Sequence, residues 1–335
     1  MLNELAKLHF TRFRFQLRAQ TPLRLPPYKG STLRGGFGIA FKEAVCVVAH
    51  RNCERCILRS KCAYPYIFET PVPNGSRRLA SLEHAPHPFV IEPPLDDQTQ
   101  YAEGDVLAFV LVLVGRAIDY LPYFIFAFEE LGERRGIGKA ANGSGVAPTG
   151  RGRFRVESVE ALNGNGAGLR VYDGATKSLV GAPQPSPLEA FAHPASESFQ
   201  PDTRLTLRFL TPTRLIFDGN LATVPEFHIL VRNLLRRISN LTYFHCDGEL
   251  DLDFRGLVDA ARAVKLVDNQ TRWHDWERYS ARQDAKLKMG GVVGEAVYEG
   301  DIERFAPLLA LGEVLHVGKG TGMGLGRYTT DGRQR

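Results

Sequence analysis

The chain has 335 residues, of which 44% are hydrophobic and 24% charged, with 33 glycines and 20 prolines. Such values exclude disorder as the main description, since a disordered chain is poorer in apolar residues and carries more net charge. The length suits two domains better than one. Lys and Arg number 42 against 37 Asp and Glu, a net +5 that permits a polyanionic partner without demanding one. The most apolar run, VLAFVLVLV at 106–114, has half the length of a membrane span, and the opening MLNELAKLHFTRFRF has no signal-peptide apolar core. A soluble, cytoplasmic protein with no membrane partner is expected.

In chain order, Phe13, Phe15 and Leu17 alternate with Arg12, Arg14 and Arg18, which predicts a half-buried strand with a basic outer face. A helical pattern runs from Ser31 to about Val48, with Leu33, Phe37, Phe41, Ala44 and Val48 on one side. A cysteine-rich loop follows, then a strand at 105–115, a helix around 120–134 and a strand at 154–162. Residues 163–203 are Gly-rich and then Pro-rich, the composition of a hairpin and linker. Residues 205–217 read as strand. The segment 225–245 is the strongest helix, because Phe227, Leu230, Val231, Leu234, Ile238 and Leu241 follow the i, i+3, i+4 rule and Pro225 stands near its start. A strand at 290–300 precedes a helix from Asp301 to Leu311, with Asp301 as its expected N-cap.

The two halves echo each other. TPLRL at 21–25 matches TPTRL at 211–215, and LGERRGIGK at 131–139 matches LGEVLHVGK at 311–319. The offsets, 190 and 180 residues, run in the same order, as an old duplication would leave them. Each half reads strand, helix, strands, helix, strand. The expected fold is therefore α+β: two tandem ferredoxin-like (RRM-like, βαββαβ) domains with a cysteine-rich metal-binding insertion. The boundaries are 1–162 for the first domain, with the cysteine loop at 46–62, 163–203 for the hairpin and linker, and 204–335 for the second, with a glycine-rich loop at 318–326.

Two motifs point to chemistry. Cys46, Cys53, Cys56 and Cys62 place four thiols within 17 residues, close enough to close around one ion. Thiolates select zinc or an iron–sulfur cluster, and structural zinc is the expectation. Five cysteines in all are too few for a disulfide scaffold, which suits an intracellular chain. The second motif alternates Gly318, Gly320, Gly322, Gly324 and Gly326 between Lys319 and Arg327. Missing side chains let backbone N–H groups approach a phosphate or a base, or simply permit a tight hairpin. The spacing fits neither a Walker A loop nor a dinucleotide fingerprint, so Mg²⁺-dependent ATP or GTP binding ranks last.

Taken together, TPTRL, the FHILVRNLLRRISNLTYFH helix, WHDWERYSARQ, KMGGVVGEAVYEGD and LLALGEVLHVGKGTGMGLGRY resemble the CRISPR precursor-RNA processing endoribonucleases of the RAMP superfamily. The resemblance is strongest over 205–330 and extends more weakly to PPYKGSTLRGGFG and the cysteine loop. It implies cleavage of CRISPR repeat RNA by the RNA's own 2′-hydroxyl, without a catalytic metal, leaving a cyclic phosphate and a 5′-hydroxyl. It also implies other CRISPR-associated effector subunits as partners. A catalytically silent RAMP subunit that holds guide RNA in an interference complex is the alternative. Where relatives carry a histidine on the first helix, this chain has Ile39. The catalytic candidates are thus His50, with Tyr28 and Lys42 near it in the chain, then His245 and His274. Expected RNA contacts are Arg34, Arg232, Arg236, Arg278, Arg282, Lys286, Lys288 and His316, together with the glycine-rich loop.

Overall fold

The alternation that begins at Phe10 forms β1 (Phe10–Ala19), and its apolar set, Phe13, Phe15 and Leu17, is wholly buried. The computed structural model describes residues 1–48, 52–139, 150–181, 204–280 and 285–330. It divides into two units, one of residues 10–186 and one of residues 1–9 with 187–335.

In the first unit β1 lies antiparallel between β3 (Val106–Val114) and β4 (Phe154–Leu162), and β2 (Phe89–Glu92) flanks β3. The order β2-β3-β1-β4 is that of a βαββαβ module, and β5 (Gly168–Asp173) and β6 (Ser178–Leu179) extend it beyond β4. The glycine-rich turn after Leu162 is shaped by Asn163, whose side chain accepts from the Asn165 and Ala167 amides. The hairpin expected within the linker is therefore part of the first unit's sheet. Two helices pack on the apolar face, α1 (Gly30–Val45) and α2 (Leu121–Glu130). Phe37 sits at their contact, stacked 4.6 Å from Phe124 and 5.5 Å from Phe128. Removing a ring so enclosed costs about 3–5 kcal/mol.

The polar face of β1 departs from expectation. Arg12 pairs with Glu92 at 3.3 Å, Arg14 with Glu160 at 3.2 Å and Arg18 with Glu157 at 2.6 Å. Other strands of the sheet supply a carboxylate for each, so the face is mixed in charge rather than basic.

The second unit repeats the plan. Its elements are β7 (Arg204–Thr213), α3 (Phe227–His245), α4 (Phe254–Ala261), β8 (Lys265–His274), a hairpin of β9 (Glu277–Ser280) and β10 (Ala285–Lys288), β11 (Gly291–Glu299), α5 (Ala306–Leu315) and β12 (Tyr328–Thr330). The sheet order β8-β11-β7-β12 matches β2-β3-β1-β4 strand for strand. α5 starts later than expected: a 3-10 turn at Glu303–Phe305 precedes it, and its N-cap is Phe305 rather than Asp301. The first nine residues belong to this unit. Leu5 and Leu8 are buried, Lys7 donates to the Glu249 carbonyl at 3.0 Å, and Glu4 accepts from the Asp251 amide at 2.7 Å.

Candidate functional site

On an α-helix, residues four apart share a face, and α1 places Arg34, Gly38 and Lys42 in one such row. A Cβ on Gly38 would collide with the Phe68 ring, so this glycine lets the ring rest directly on the helix backbone. Phe68 comes from a π-helical turn at Pro65–Glu69. The Arg34 guanidinium stands 4.5 Å from the centre of Phe68, and the Lys42 ammonium 5.2 Å from that of Tyr64. Tyr64 and Phe68 stack at 5.5 Å, and the row of rings continues through His87, 6.3 Å from Phe68, to Phe89, 5.6 Å further on. Ring faces attract these cations without neutralising them.

The polar contacts of His87 are directional. Arg34 Nη2 lies 3.0 Å from its Nε2, and Thr70 Oγ1 lies 2.8 Å from its Nδ1. Arginine has no acceptor, so it donates and Nε2 accepts. The ring hydrogen then sits on Nδ1 and is donated to Thr70, whose hydroxyl donates in turn to the Ile67 carbonyl at 3.4 Å. Thr70 is buried and has φ of +49°, a left-handed conformation that a β-branched residue rarely adopts.

The catalytic residues expected from the sequence are not gathered. Tyr28 is half-buried two residues before α1, whereas Lys42 lies in its fourth turn, about 18 Å along the axis from Gly30. Lys29 beside Tyr28 is fully buried and bonds Pro27 O, Asp96 O and Asp96 Oδ1, anchoring the helix start. His50 lies outside the described residues. His245 is buried at the last residue of α3, and His274 is exposed at the end of β8. Ile39 is exposed on α1.

The cysteine insertion is only partly as expected. Cys46, Cys53, Cys56 and Cys62 line one small cavity with Val45, Leu58 and Tyr64. Among the described residues, however, no three His, Cys, Asp or Glu side chains are arranged to hold a metal ion. Burial pushes the Cys53 and Cys62 thiols up from their ordinary range. The insertion forms a thiol-lined apolar pocket, and the zinc or iron–sulfur cluster expected there finds no support among the described residues.

The glycine-rich loop folds onto its own sheet. Gly318, Gly320, Gly324 and Gly326 all have φ between +74° and +88°. A Cβ on Gly318 would strike the Arg214 carbonyl, and one on Gly326 the Val317 carbonyl. The Lys319 amide donates to Arg214 O at 3.0 Å, and Thr211 Oγ1 donates to Gly324 O at 2.9 Å. Gly322 is buried within a 3-10 turn. His316, expected to touch RNA, is fully buried and donates from Nδ1 to Leu325 O at 3.1 Å, so it braces the loop from inside. Lys319 is exposed and Arg327 half-buried.

Other basic residues are spread over the second unit. Arg232 and Arg236 are exposed one turn apart on α3, with Arg232 5.7 Å from the Phe217 ring. Arg278 and Lys286 lie on the paired strands β9 and β10, Lys288 is exposed at the end of β10, and Arg282 lies outside the described residues. Sequence reasoning missed His87, because its partners Thr70 and Arg34 stand 17 and 53 residues away.

Against known proteins, the tandem fold has clear counterparts. A structure of a Cas6 product complex superposes with a TM-score of 0.52 at 16% identity, covering 96% of this chain and 99% of that one. A partial complex of Cas6-RT-Cas1 with Cas2 gives 0.55 at 13% identity, covering 98% of this chain and 47% of the other. An uncharacterized protein of Archaeoglobus fulgidus is 24% identical over 312 residues, covering 91% of this chain and 92% of its own. The family model of the AF_1859 N-terminal domain matches residues 8–185, more than half of the chain. That of the CRISPR-associated endoribonuclease Cas6 matches 207–328. The chain belongs to the family defined by the AF_1859 N-terminal domain, and its second half is similar to the Cas6 endoribonuclease family.

Proposed function

We propose that this protein is an endoribonuclease that cuts CRISPR repeat RNA in the precursor transcript, by attack of the 2′-hydroxyl on the adjacent phosphate without a metal ion. The products would be guide RNAs with cyclic phosphate and 5′-hydroxyl ends. The observation that carries the reading is the match of the Cas6 endoribonuclease family to 207–328, within a chain that repeats one strand order in both units. Repeat RNA is the partner this assigns, and other CRISPR-associated proteins are further partners, as in the Cas6-RT-Cas1 assembly. Such chemistry asks for a base at the 2′-oxygen and a cation for the charge that builds on the phosphate. Lys319 and the exposed pair Arg232 and Arg236 are offered as phosphate contacts, which position RNA without reading its sequence.

A silent RNA-holding subunit is the second reading, and Ile39, exposed where the resemblance places a histidine, favours it. Repeat RNA, end-labelled and incubated with excess EDTA, separates the two. Cleavage at one position, abolished by deoxyribose at that nucleotide, supports the endoribonuclease. Tight binding without cleavage supports the silent subunit.

A further inference from the structure

We propose that the first unit carries a second RNA-phosphate contact, formed by Arg24, Lys139, Arg151 and Arg153 around a duplicate of the base of the glycine-rich loop. This rests on the repeat-RNA reading above and adds a site in the other half of the chain.

The duplication visible in TPLRL and TPTRL extends to individual hydrogen bonds. In the second unit the Val317 amide donates to Gly326 O and the Lys319 amide to Arg214 O, both at 3.0 Å. In the first unit the Ile137 amide donates to Gly152 O and the Lys139 amide to Arg24 O, both at 2.9 Å. Thr211 Oγ1 accepts from Arg327 N at 2.9 Å, as Thr21 Oγ1 accepts from Arg153 N at 2.8 Å. The backbone agrees as well. Gly138 has φ of +85° against +84° at Gly318, and Gly136 has +66° where His316 has +60°. A Cβ on Gly138 would strike the Arg24 carbonyl, just as one on Gly318 would strike that of Arg214. Residues 22–24, 137–139 and 151–153 therefore meet at one place. The chain that joins the two sides is longer in the first unit, 153 − 139 = 14 positions against 327 − 319 = 8.

Around this copy stands charge without counter-charge. From Arg134 to Arg155 the sequence holds six basic residues and no acidic one. Arg134, Arg135 and Arg155 reach out to Glu130, Glu43 and Glu157. Arg24, Lys139 and Arg151 are exposed, and no ion pair holds them or Arg153 among the described residues. Arg153 Nε is buried with no hydrogen-bond partner among them. The second unit treats the equivalent arginine differently: Arg214 donates to Lys288 O at 3.2 Å and to Gly290 O at 3.1 Å. Inherited geometry explains the glycines and the paired amides. It does not explain the exposed charge, since the side chains of Arg24, Lys139 and Arg151 take no part in those bonds. Cations grouped without carboxylates raise the local potential and draw a polyanion. Phosphates repeated along an RNA backbone suit several such contacts at once, and they position RNA without reading its sequence.

The test is repeat-RNA binding by the full-length protein, measured as affinity against salt concentration. Lys139→Gln combined with Arg151→Gln should weaken binding about tenfold at about 0.1 M salt. It should also flatten the slope of log affinity against log salt by about 1.4, two contacts at about 0.7 each. Arg262→Gln combined with Arg304→Gln removes the same charge from arginines paired with Asp259 and Asp301, and should change affinity less than about threefold. All four side chains are exposed, so both double variants should unfold at the wild-type midpoint. Independently, acetylation of Lys139 in the unmodified protein, read by mass spectrometry, should slow when repeat RNA is bound. An unchanged salt slope in the Lys139 and Arg151 variant, or undiminished acetylation of Lys139 under saturating RNA, would overturn the assignment. Equal losses in the two double variants would reduce the effect to net charge and overturn it too. Failure of the unmodified protein to bind repeat RNA would instead sink the repeat-RNA reading, and this site with it.

Discussion

The outer face of β1 and the Arg34–Lys42 row of α1 look alike in sequence, each offering regularly spaced basic residues. Their surroundings differ. Each arginine on β1 meets a glutamate from another strand of its sheet, whereas Arg34 and Lys42 lie over aromatic faces. A carboxylate consumes a cation's capacity to bind an anion, and a ring leaves it largely intact. Counting basic residues therefore overstated the RNA-facing surface on the strand.

The sharpest way to break this comparison is to delete one arginine from each region. Arg34→Ala should reduce single-turnover cleavage by about 10²-fold or more, the scale of losing one charge-stabilising donor. Arg14→Ala should change it less than about threefold. Equal losses would erase the distinction. Smaller in effect is a pair of substitutions within α1 itself. Gly38→Ala should destabilise by about 1–3 kcal/mol in urea unfolding, because the Phe68 ring must move. Gly35→Ala, where a Cβ meets nothing within 4 Å, should stabilise by about 0.5–1 kcal/mol through helix propensity. The smallest effect belongs to the strand. The hydrogen bonds from Arg18 hold the Glu157 carboxyl below its usual range. Both side chains are partly exposed, so solvent screening leaves the pair only a small contribution. That contribution is present above the unfolded-state pKa and lost as pH falls through the lower, folded one. Arg18→Ala should remove it, and NMR titration of Glu157 should then return the carboxyl to its ordinary range.

What the sequence disclosed tracks burial. β4 falls at the expected 154–162 and α1 within three residues of its expected end, because each has one apolar face and one polar. β8 was invisible for the opposite reason. Nearly every residue of DNQTRWH is exposed, so no alternation marks it as an edge strand. The glycine-rich loop was noticed, but its spacing could not reveal that His316 and Leu325 would close it from within. The four cysteines drew attention to a metal, yet spacing alone does not aim four thiols at one point. His87 left no signal, since its meaning depends on a threonine and an arginine brought from elsewhere in the chain.

The placement of residues 1–9 reaches into how the chain matures. Glu4 caps the Asp251 amide across 247 residues, and Lys7 reaches Glu249 across 242. The first unit is thus an insertion within the second. During synthesis it can finish folding while the opening segment still waits for a partner not yet made. Contacts of such separation form late and slow assembly. A fragment cut at residue 204 would lack Leu5, Leu8 and both of these polar ties, so the second unit's natural excision includes the start of the chain as well as its end.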